Sequence, residues 1–221
     1  MECGNCSNVL ENGYTSIKLN CRNSGTCLTT ATAKKKAISL FSGAGGDTLG
    51  MKNAGIDVVG FVEFNKDAIK SHEINFPSCK LIGEDITKIQ DEVFMKYKDN
   101  IDVIFGGFPC QAYSQGGRKN PKDSRAYLYE EFVRVANIIR PKYIIGENVV
   151  GLKSRKMPDG KFFLDDIKDK FKEIGYSINF IDTFNSENYG IPQLRRRVII
   201  IGTLDNSVIP EITHEPMTHR F

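Results

Sequence analysis

One cysteine in this sequence stands where a nucleophile is expected. Cys110 follows the turn Gly107-Phe108-Pro109 and the apolar run Ile101–Phe105, which predicts a strand. A cysteine at the carboxyl end of a strand can meet a substrate, and its thiolate is a strong nucleophile. The common alternative is a buried structural thiol, which we expect for Cys79. The polar and glycine residues around Cys110 favour the nucleophile.

Charged residues accompany two later apolar runs. Glu147 follows the predicted strand Tyr143–Ile145, so we expect it in the same crevice as Cys110. A partly buried carboxyl can stay protonated or share a proton, which activation of a pyrimidine ring nitrogen requires. Arg195 and Arg197 precede the last apolar run, and in an extended segment they share a face and can reach one substrate. For Glu147, a salt bridge or a helix cap is the alternative.

A glycine cluster follows the first apolar run after Lys34. Gly43, Gly45 and Gly46 let the backbone approach a nucleotide-like cofactor at a strand's carboxyl end. Glu63, after the second predicted strand, is placed to bind ribose hydroxyls. Asp85, after the third, is placed where an adenine amino group could lie, although an isolated aspartate at such a position is more often a helix cap. The Gly-x-Gly-Gly spacing differs from the dinucleotide motif Gly-x-Gly-x-x-Gly, so the glycines alone do not specify the cofactor.

The elements that must position these residues alternate in type along the chain. Apolar runs predict strands at Ala37–Phe41, Val58–Val62, Lys80–Ile82, Ile101–Phe105, Tyr143–Ile145, Ile178–Phe184 and Val198–Ile201. Helices are predicted at Asp47–Asn53 and Asp67–Asn75, and apolar stripes predict two more, ended by Pro141 and by Gly175. This alternation predicts an α/β fold: an open, mostly parallel twisted sheet with helices on both faces and the last strand antiparallel.

Composition limits the class of protein without naming it. The 221 residues are 40% hydrophobic and 26% charged, which is typical of a globular protein. The net charge of +3 is compatible with nucleic-acid binding but too small to indicate it. We find no membrane-length apolar run and no signal-peptide core, so we expect an intracellular protein, cytoplasmic in a prokaryote and nuclear or in a viral factory otherwise.

The first 33 residues differ in composition from the rest and are predicted to be a separate, cysteine-rich extension. Cys3, Cys6, Cys21 and Cys27 are spaced as Cys-x2-Cys-x14-Cys-x5-Cys, which resembles a small zinc knuckle apart from the wide second pair. The alternative is four unrelated thiols in a disordered leader, which the polar composition favours.

Taken together and in order, the motifs resemble those of the C5-cytosine-specific DNA methyltransferase family. The resemblance spans about residues 34–204, and it implies a Rossmann-like fold that uses S-adenosylmethionine over residues 34–205. The motifs that carry it are Phe41-Ser42-Gly43-Ala44-Gly45-Gly46, Glu63, Asp85, Pro109-Cys110-Gln111, Glu147-Asn148-Val149 and Gln193-x-Arg195-x-Arg197.

The resemblance implies a role for each motif. Cys110 would attack C6 of a flipped cytosine, Glu147 would hold N3 and the exocyclic amine, and Arg197 with Arg195 would contact the O2 side. The expected cofactor-binding residues are Phe41, Ser42, Gly43, Gly45, Gly46, Glu63, Phe64, Asp85, Ile86 and Pro109. The expected DNA-contacting residues, several of them in a long polar loop that resembles the family's mobile loop, are Gln111, Ser114, Arg118, Lys119, Asn148 and Gln193.

The sequence departs from the family pattern after the arginine motif. Family members continue into a target-recognition region, and residues 206–221 look like the start of that connection. We therefore expect double-stranded DNA as a partner, together with a complementing subunit that carries the recognition region; a truncated gene and a minimal recognition surface are the alternatives. A non-catalytic module that binds S-adenosylmethionine or DNA, and a tRNA cytosine-5 methyltransferase, are the competing functions.

Overall fold

The computed structural model describes residues 7–11, 14–18, 34–109, 127–205 and 209. In the N-terminal extension, β1 (Ser7–Glu11) and β2 (Tyr14–Lys18) pair as an antiparallel two-stranded sheet. The sequence did not predict this hairpin. The four cysteines of the proposed zinc knuckle (Cys3, Cys6, Cys21 and Cys27) lie outside the described residues, so the knuckle stays a prediction.

The main sheet has seven strands in the order β5-β4-β3-β6-β7-β9-β8. The strands are β3 (Lys36–Leu40), β4 (Asp57–Val62), β5 (Lys80–Gly83), β6 (Val103–Gly106), β7 (Tyr143–Val149), β8 (Ser177–Asn185) and β9 (Arg196–Thr203). The first five pair in parallel, and β9 runs antiparallel to both β7 and β8. The mostly parallel sheet with an antiparallel last strand is confirmed.

The described residues also form five α-helices. They are α1 (Gly46–Asn53), α2 (Lys66–Asn75), α3 (Asp91–Met95), α4 (Tyr129–Ile139) and α5 (Phe163–Glu173). Asn65 begins α2 by accepting from the backbone N–H groups of Asp67 and Ala68. Gly175 follows the end of α5 with a φ of 89°. Only α3 was not predicted, because five residues are too few to show a helical period.

Two apolar clusters pack on opposite faces of the sheet because alternate residues of each strand point to opposite sides. In β3, Ile38 and Leu40 join the larger cluster with residues of α4 and α5, whereas Ala37 joins the smaller cluster with Met51 of α1 and residues of α2. Helices therefore cover both faces, as predicted. Among the described residues, no helix combines the length and the apolar composition needed to cross a membrane.

The strand order reverses between β3 and β6. From β3 the chain adds β4 and β5 on one side, and then crosses back to add β6 and β7 on the other. In open α/β sheets, ligands bind in the crevice at such a switch point, outside the carboxyl ends of the strands. The crevice here lies between the segment that starts at Phe41 and the turn Gly107–Pro109.

Candidate active site

Three strand ends converge at this crevice. The Gly107 N–H donates to the Leu40 carbonyl over 3.2 Å, which joins the end of β6 to the end of β3. A Cβ atom placed on Gly107 would lie 3.8 Å from the Phe41 carbonyl oxygen and 3.9 Å from Oε2 of Glu147. The carboxylate predicted to activate the base therefore lies beside the turn that leads to Cys110. Cys110 itself lies outside the described residues.

Glu147 forms an ion pair with the two predicted arginines. Its Oε1 lies 2.9 Å from Nε of Arg197 and 3.8 Å from Nη2 of Arg195. The antiparallel register, which pairs Val149 with Arg197, brings β9 alongside the end of β7. The side chains of Glu147 and Arg197 are about a quarter exposed, whereas Arg195 is half exposed. The salt bridge that we gave as the alternative to a site role thus joins three predicted site residues.

Asn148 is buried, with 2% of its surface exposed. Its Nδ2 donates to the Phe108 carbonyl over 3.0 Å, and its Oδ1 accepts from the Val149 N–H. Phe108 packs in turn against Tyr129 and Phe132. These contacts hold the turn before Cys110, so the geometry favours a positioning role for Asn148 over the DNA contact that we predicted.

The remaining predicted DNA contacts are placed differently. Gln193 lies in the exposed segment before β9, and its carbonyl accepts from the Ser186 hydroxyl. Its side chain is therefore available to a ligand, as the prediction requires. The other four, Gln111, Ser114, Arg118 and Lys119, lie outside the described residues, and their roles stay predictions.

The segment after β3 is held by the carboxylate of Glu63. Its Oε2 accepts from the Gly43 N–H over 2.7 Å and its Oε1 from the Asn65 N–H over 2.8 Å. Phe41 has a φ of 58°, a conformation that a residue with a bulky side chain rarely adopts. Each carboxylate oxygen has a second lone pair, so Glu63 can hold this segment and still accept from a ribose.

The residues predicted to bind the adenine differ in exposure: the side chain of Phe64 is exposed, whereas that of Ile86 is buried. Phe64 is 72% exposed, so its ring is free to stack on a ligand. Asp85 caps the turn that follows it by accepting from the Thr87 N–H and hydroxyl, and this hydrogen bond from the hydroxyl holds the pKa of Asp85 below its usual value. The side chain of Ile86 is only 4% exposed and belongs to the core. Ile86 can therefore line a cofactor pocket only through its backbone.

Arg134 supports the Asp85 turn, and we did not single it out from the sequence. Its Nη2 donates to the Ile86 carbonyl over 2.9 Å, and its guanidinium also pairs with Asp91 and Glu131. Arg134 lies in α4 outside its buried apolar stripe, and an arginine at such a position ordinarily indicates a solvated face, so the sequence did not reveal this role. It ties α4 to the turn and to α3.

A second set of residues missed by sequence reasoning lies below the glycine segment. Ser39, Thr48 and His72 have no exposed surface. His72 is hydrogen-bonded to Thr48 and Thr48 to Ser42, whereas Ser39 and Ser42 both donate to Asp47. Burial raises the pKa of Asp47, against hydrogen bonds from both serines that lower it, and burial lowers the pKa of His72. The available signal was His72 itself, a polar residue in the apolar stripe Ile69-His72-Phe76.

No group of three or more histidine, cysteine or acidic side chains in the described ranges is arranged to hold a metal ion. Cys79 is buried, and burial raises the pKa of its thiol to about 12. That thiol is unreactive at neutral pH, as expected for a structural cysteine.

A switch-point crevice with a glycine segment on one side and a carboxylate–arginine cluster on the other is typical of α/β domains that bind a nucleotide-like cofactor. The model of the C-5 cytosine-specific DNA methylase family matches residues 35–220. The chain therefore belongs to the C5 cytosine-specific DNA methylase family, which confirms the resemblance seen in the sequence and implies S-adenosylmethionine as the methyl donor.

Relatives and solved structures agree with this assignment. The chain is 34% identical over 178 residues to the type II methyltransferase M.XorII of Xanthomonas oryzae, covering 78% of this chain and 41% of that protein. It is also 34% identical to M.AquIA of Picosynechococcus, covering 83% of this chain and 78% of that protein. A solved structure described as a DNA modification methyltransferase encoded within an Escherichia coli prophage superposes with a TM-score of 0.69 at 30% identity, over 83% of this chain and 51% of that one.

The chain covers different fractions of the lengths of these relatives. The chain spans less than half the length of the first curated relatives it matches, M.XorII and M1.HphI of Haemophilus parahaemolyticus. It spans more than three quarters of M.AquIA. The family therefore includes a curated member whose own length is close to that of this chain.

Proposed function

We propose that this chain is the catalytic part of a DNA (cytosine-5-)-methyltransferase that acts through a covalent Cys110–C6 adduct. The observation that carries the proposal is the position of the Glu147 carboxylate beside Gly107, at the start of the turn that leads to Cys110 and close to the Phe41 end of β3. A base held by Glu147 would lie between the approach to the nucleophile and the approach to the methyl donor. The ion pair with Arg197 keeps that carboxylate in place before a substrate arrives.

The residues around the glycine segment fit S-adenosylmethionine. Nothing lies within 4 Å of a Cβ atom placed on Gly43 or on Gly46, so the space beside this backbone is open to a ligand. Glu63 retains lone pairs for ribose hydroxyls, and the exposed ring of Phe64 can stack on an adenine. When bound there, S-adenosylmethionine supplies an electrophilic methyl group and leaves as S-adenosylhomocysteine.

The protein's own groups carry the rest of the reaction. The Cys110 thiolate forms a bond to C6 while Glu147 holds N3 and the exocyclic amine, which turns C5 into a nucleophile. Arg197 and Arg195 contact the O2 side of the ring. After C5 has taken the methyl group, loss of the C5 proton to a base and cleavage of the sulfur–C6 bond return the cysteine.

The substrate that fits this site is a cytosine turned out of double-stranded DNA, since C5 and C6 are unreachable while the base is stacked. Arg195 lies beside Glu147 with half of its side chain exposed, and Gln193 is exposed two residues before it, so both side chains are available to DNA. We place target recognition on a complementing subunit.

Transfer of labelled methyl groups from S-adenosylmethionine to cytosine-containing DNA tests the proposal. It should be measured with and without the protein encoded next to this gene. We expect labelled 5-methylcytosine only when both proteins are present. Label in tRNA instead of DNA would assign the chain to the tRNA enzyme. Binding of S-adenosylmethionine without transfer to either substrate would favour a regulatory module.

A further inference from the structure

A chain of buried hydrogen bonds runs from α2 to the start of α1. Nε2 of His72 lies 2.9 Å from the Thr48 hydroxyl, which lies 3.4 Å from the Ser42 hydroxyl. The Ser42 hydroxyl donates to Oδ1 of Asp47 over 3.1 Å, and the Ser39 hydroxyl donates to Oδ2. Ser39, Thr48 and His72 are fully buried, so water does not compete for these bonds.

The carboxylate at the end of this chain sets the direction of every bond. Asp47 accepts from Ser42, so the Ser42 oxygen is left to accept from Thr48, and Thr48 in turn accepts from Nε2–H of His72. The other ring nitrogen, Nδ1, is buried and has no hydrogen-bond partner. With the proton on Nε2, Nδ1 carries a lone pair that accepts no hydrogen bond. This arrangement costs less free energy than a buried N–H group without an acceptor. His72 is therefore a neutral donor at one end, and Asp47 is the acceptor at the other.

The ring of His72 also touches the glycine segment directly. Gly45 has a φ of 93°, and a Cβ atom placed on it would lie 2.8 Å from Cδ2 of His72 and closer still to the ring of Phe76. On its other side the imidazole stacks on Phe61, with ring centroids 3.7 Å apart. The imidazole therefore lies between the sheet and the segment. It interacts with the segment in two ways, by packing against Gly45 and by its hydrogen bond with Thr48.

We propose that His72 is a positioning residue that holds the segment from Ser42 to Thr48 in the shape that receives the cofactor. His72 never meets the ligand. It acts through Thr48 and through its packing against Gly45, while Glu63 holds the same segment at Gly43 from the other side. The identification of the ligand as S-adenosylmethionine rests on the proposed function. The positioning of the segment by His72 does not.

Two substitutions separate the hydrogen bond from the packing. His72→Phe keeps a flat ring on Phe61 but cannot donate to Thr48. His72→Gln places its amide nitrogen near the position of Nε2 and can restore the donor. Ile69→Val is the matched control, because Ile69 is a buried apolar residue of α2 whose side chain has no polar atom to take part in the hydrogen-bond chain.

The first measurement is hydrogen exchange in the cofactor-free protein, which needs no assumption about function. The amides of Gly43, Gly45 and Leu49 are hydrogen-bonded within or beside the segment, and that of Arg140 at the end of α4 is a distant reference. We expect about fivefold faster exchange at the three segment amides in His72→Phe, with Arg140 unchanged and His72→Gln close to the wild type. Equal changes at Arg140, or the same pattern in Ile69→Val, would overturn the inference.

The second measurement is the affinity for S-adenosylmethionine by titration calorimetry. His72→Phe should bind about fivefold more weakly than the wild type, and His72→Gln and Ile69→Val should bind nearly as well as the wild type. If the wild type binds no S-adenosylmethionine, the proposed function fails, and the exchange measurement still decides the role of His72. If the segment amides of His72→Phe exchange as in the wild type, the role of His72 is refuted whatever the affinity.

Discussion

The two sides of the crevice are stabilised by different kinds of interaction, buried hydrogen bonds on one side and partly exposed ion pairs on the other. On the cofactor side, where the glycine segment follows β3, the segment is held by buried hydroxyl groups, by His72 and by the carboxylate of Asp47. Water is excluded from the buried hydroxyls and from His72. On the base side, Glu147 is held by Arg197 of β9 and by Arg195 just before that strand, and Arg195 remains half exposed. The cofactor side is therefore preorganised, whereas the base side uses charges that water and a nucleic acid can both reach. This difference suits a small cofactor on one side and a large, mobile DNA substrate on the other.

Glu147→Gln should give the largest effect, because it removes the charge on which the base side depends. We expect methyl transfer to fall by about 10²- to 10⁴-fold with little change in S-adenosylmethionine affinity, since a group that assists proton transfer typically contributes that much. Glu173→Gln, an exposed glutamate at the end of α5, is the control. A parallel loss of cofactor affinity would show that the two sides are not held independently.

Gly45→Ala should destabilise the glycine segment on the cofactor side, because the added methyl group would overlap with neighbouring side chains. The new methyl group would meet His72 and Phe76 at a positive φ, so we expect the free energy of unfolding to fall by about 2–4 kcal/mol in urea denaturation. Gly50→Ala is the matched control within α1. Nothing lies within 4 Å of its Cβ position, and alanine should stabilise this helix by about 0.5–1 kcal/mol. Equal stabilities for the two variants would contradict the packing that we describe.

Asn148→Ala tests the connection between the two sides. It leaves the buried Phe108 carbonyl without its donor, so we expect a loss of about 1–3 kcal/mol in the free energy of unfolding. If Asn148 positions the turn before Cys110, methyl transfer falls while the salt dependence of DNA binding stays that of the wild type. A stability equal to the wild type, with DNA binding alone weakened, would restore the DNA contact that the sequence predicted.

The pH dependence of stability should show the smallest effect. Burial lowers the pKa of His72 below its usual 6.5, against the nearby carboxylate of Glu63, which raises it. The unfolded chain therefore binds the proton more readily, and this histidine's contribution to stability is complete above pH 6.5 and is lost as the pH falls from 6.5 towards the lowered pKa. In thermal unfolding, His72→Phe should lose less stability than the wild type as the pH is lowered from 7 into the acid range, because the variant lacks the imidazole that takes up a proton on unfolding. Asp47 is shared by both proteins, so its opposite contribution cancels in the comparison.

The sequence predicted the base side and the frame better than the cofactor side, for a physical reason. Short apolar runs indicate strands and helical stripes indicate long helices, so β3 to β9 and four of the helices were located within a few residues. Arg195 and Arg197 share a face by strand geometry alone, and both indeed lie near Glu147. The hydrogen bonds of His72 join α2 to α1 across 24 positions, and no local period carries that information. The same holds for Asn148, whose partner Phe108 lies 40 positions away.

The most direct test of the account is covalent trapping with DNA that contains 5-fluorocytosine, in the presence of S-adenosylmethionine and the complementing protein. Fluorine at C5 prevents the final elimination, so a cysteine bonded to C6 stays attached to the DNA. The account predicts a stable complex with the wild type and with Cys79→Ser, and none with Cys110→Ser. A complex that survives Cys110→Ser would contradict the central claim that Cys110 is the nucleophile.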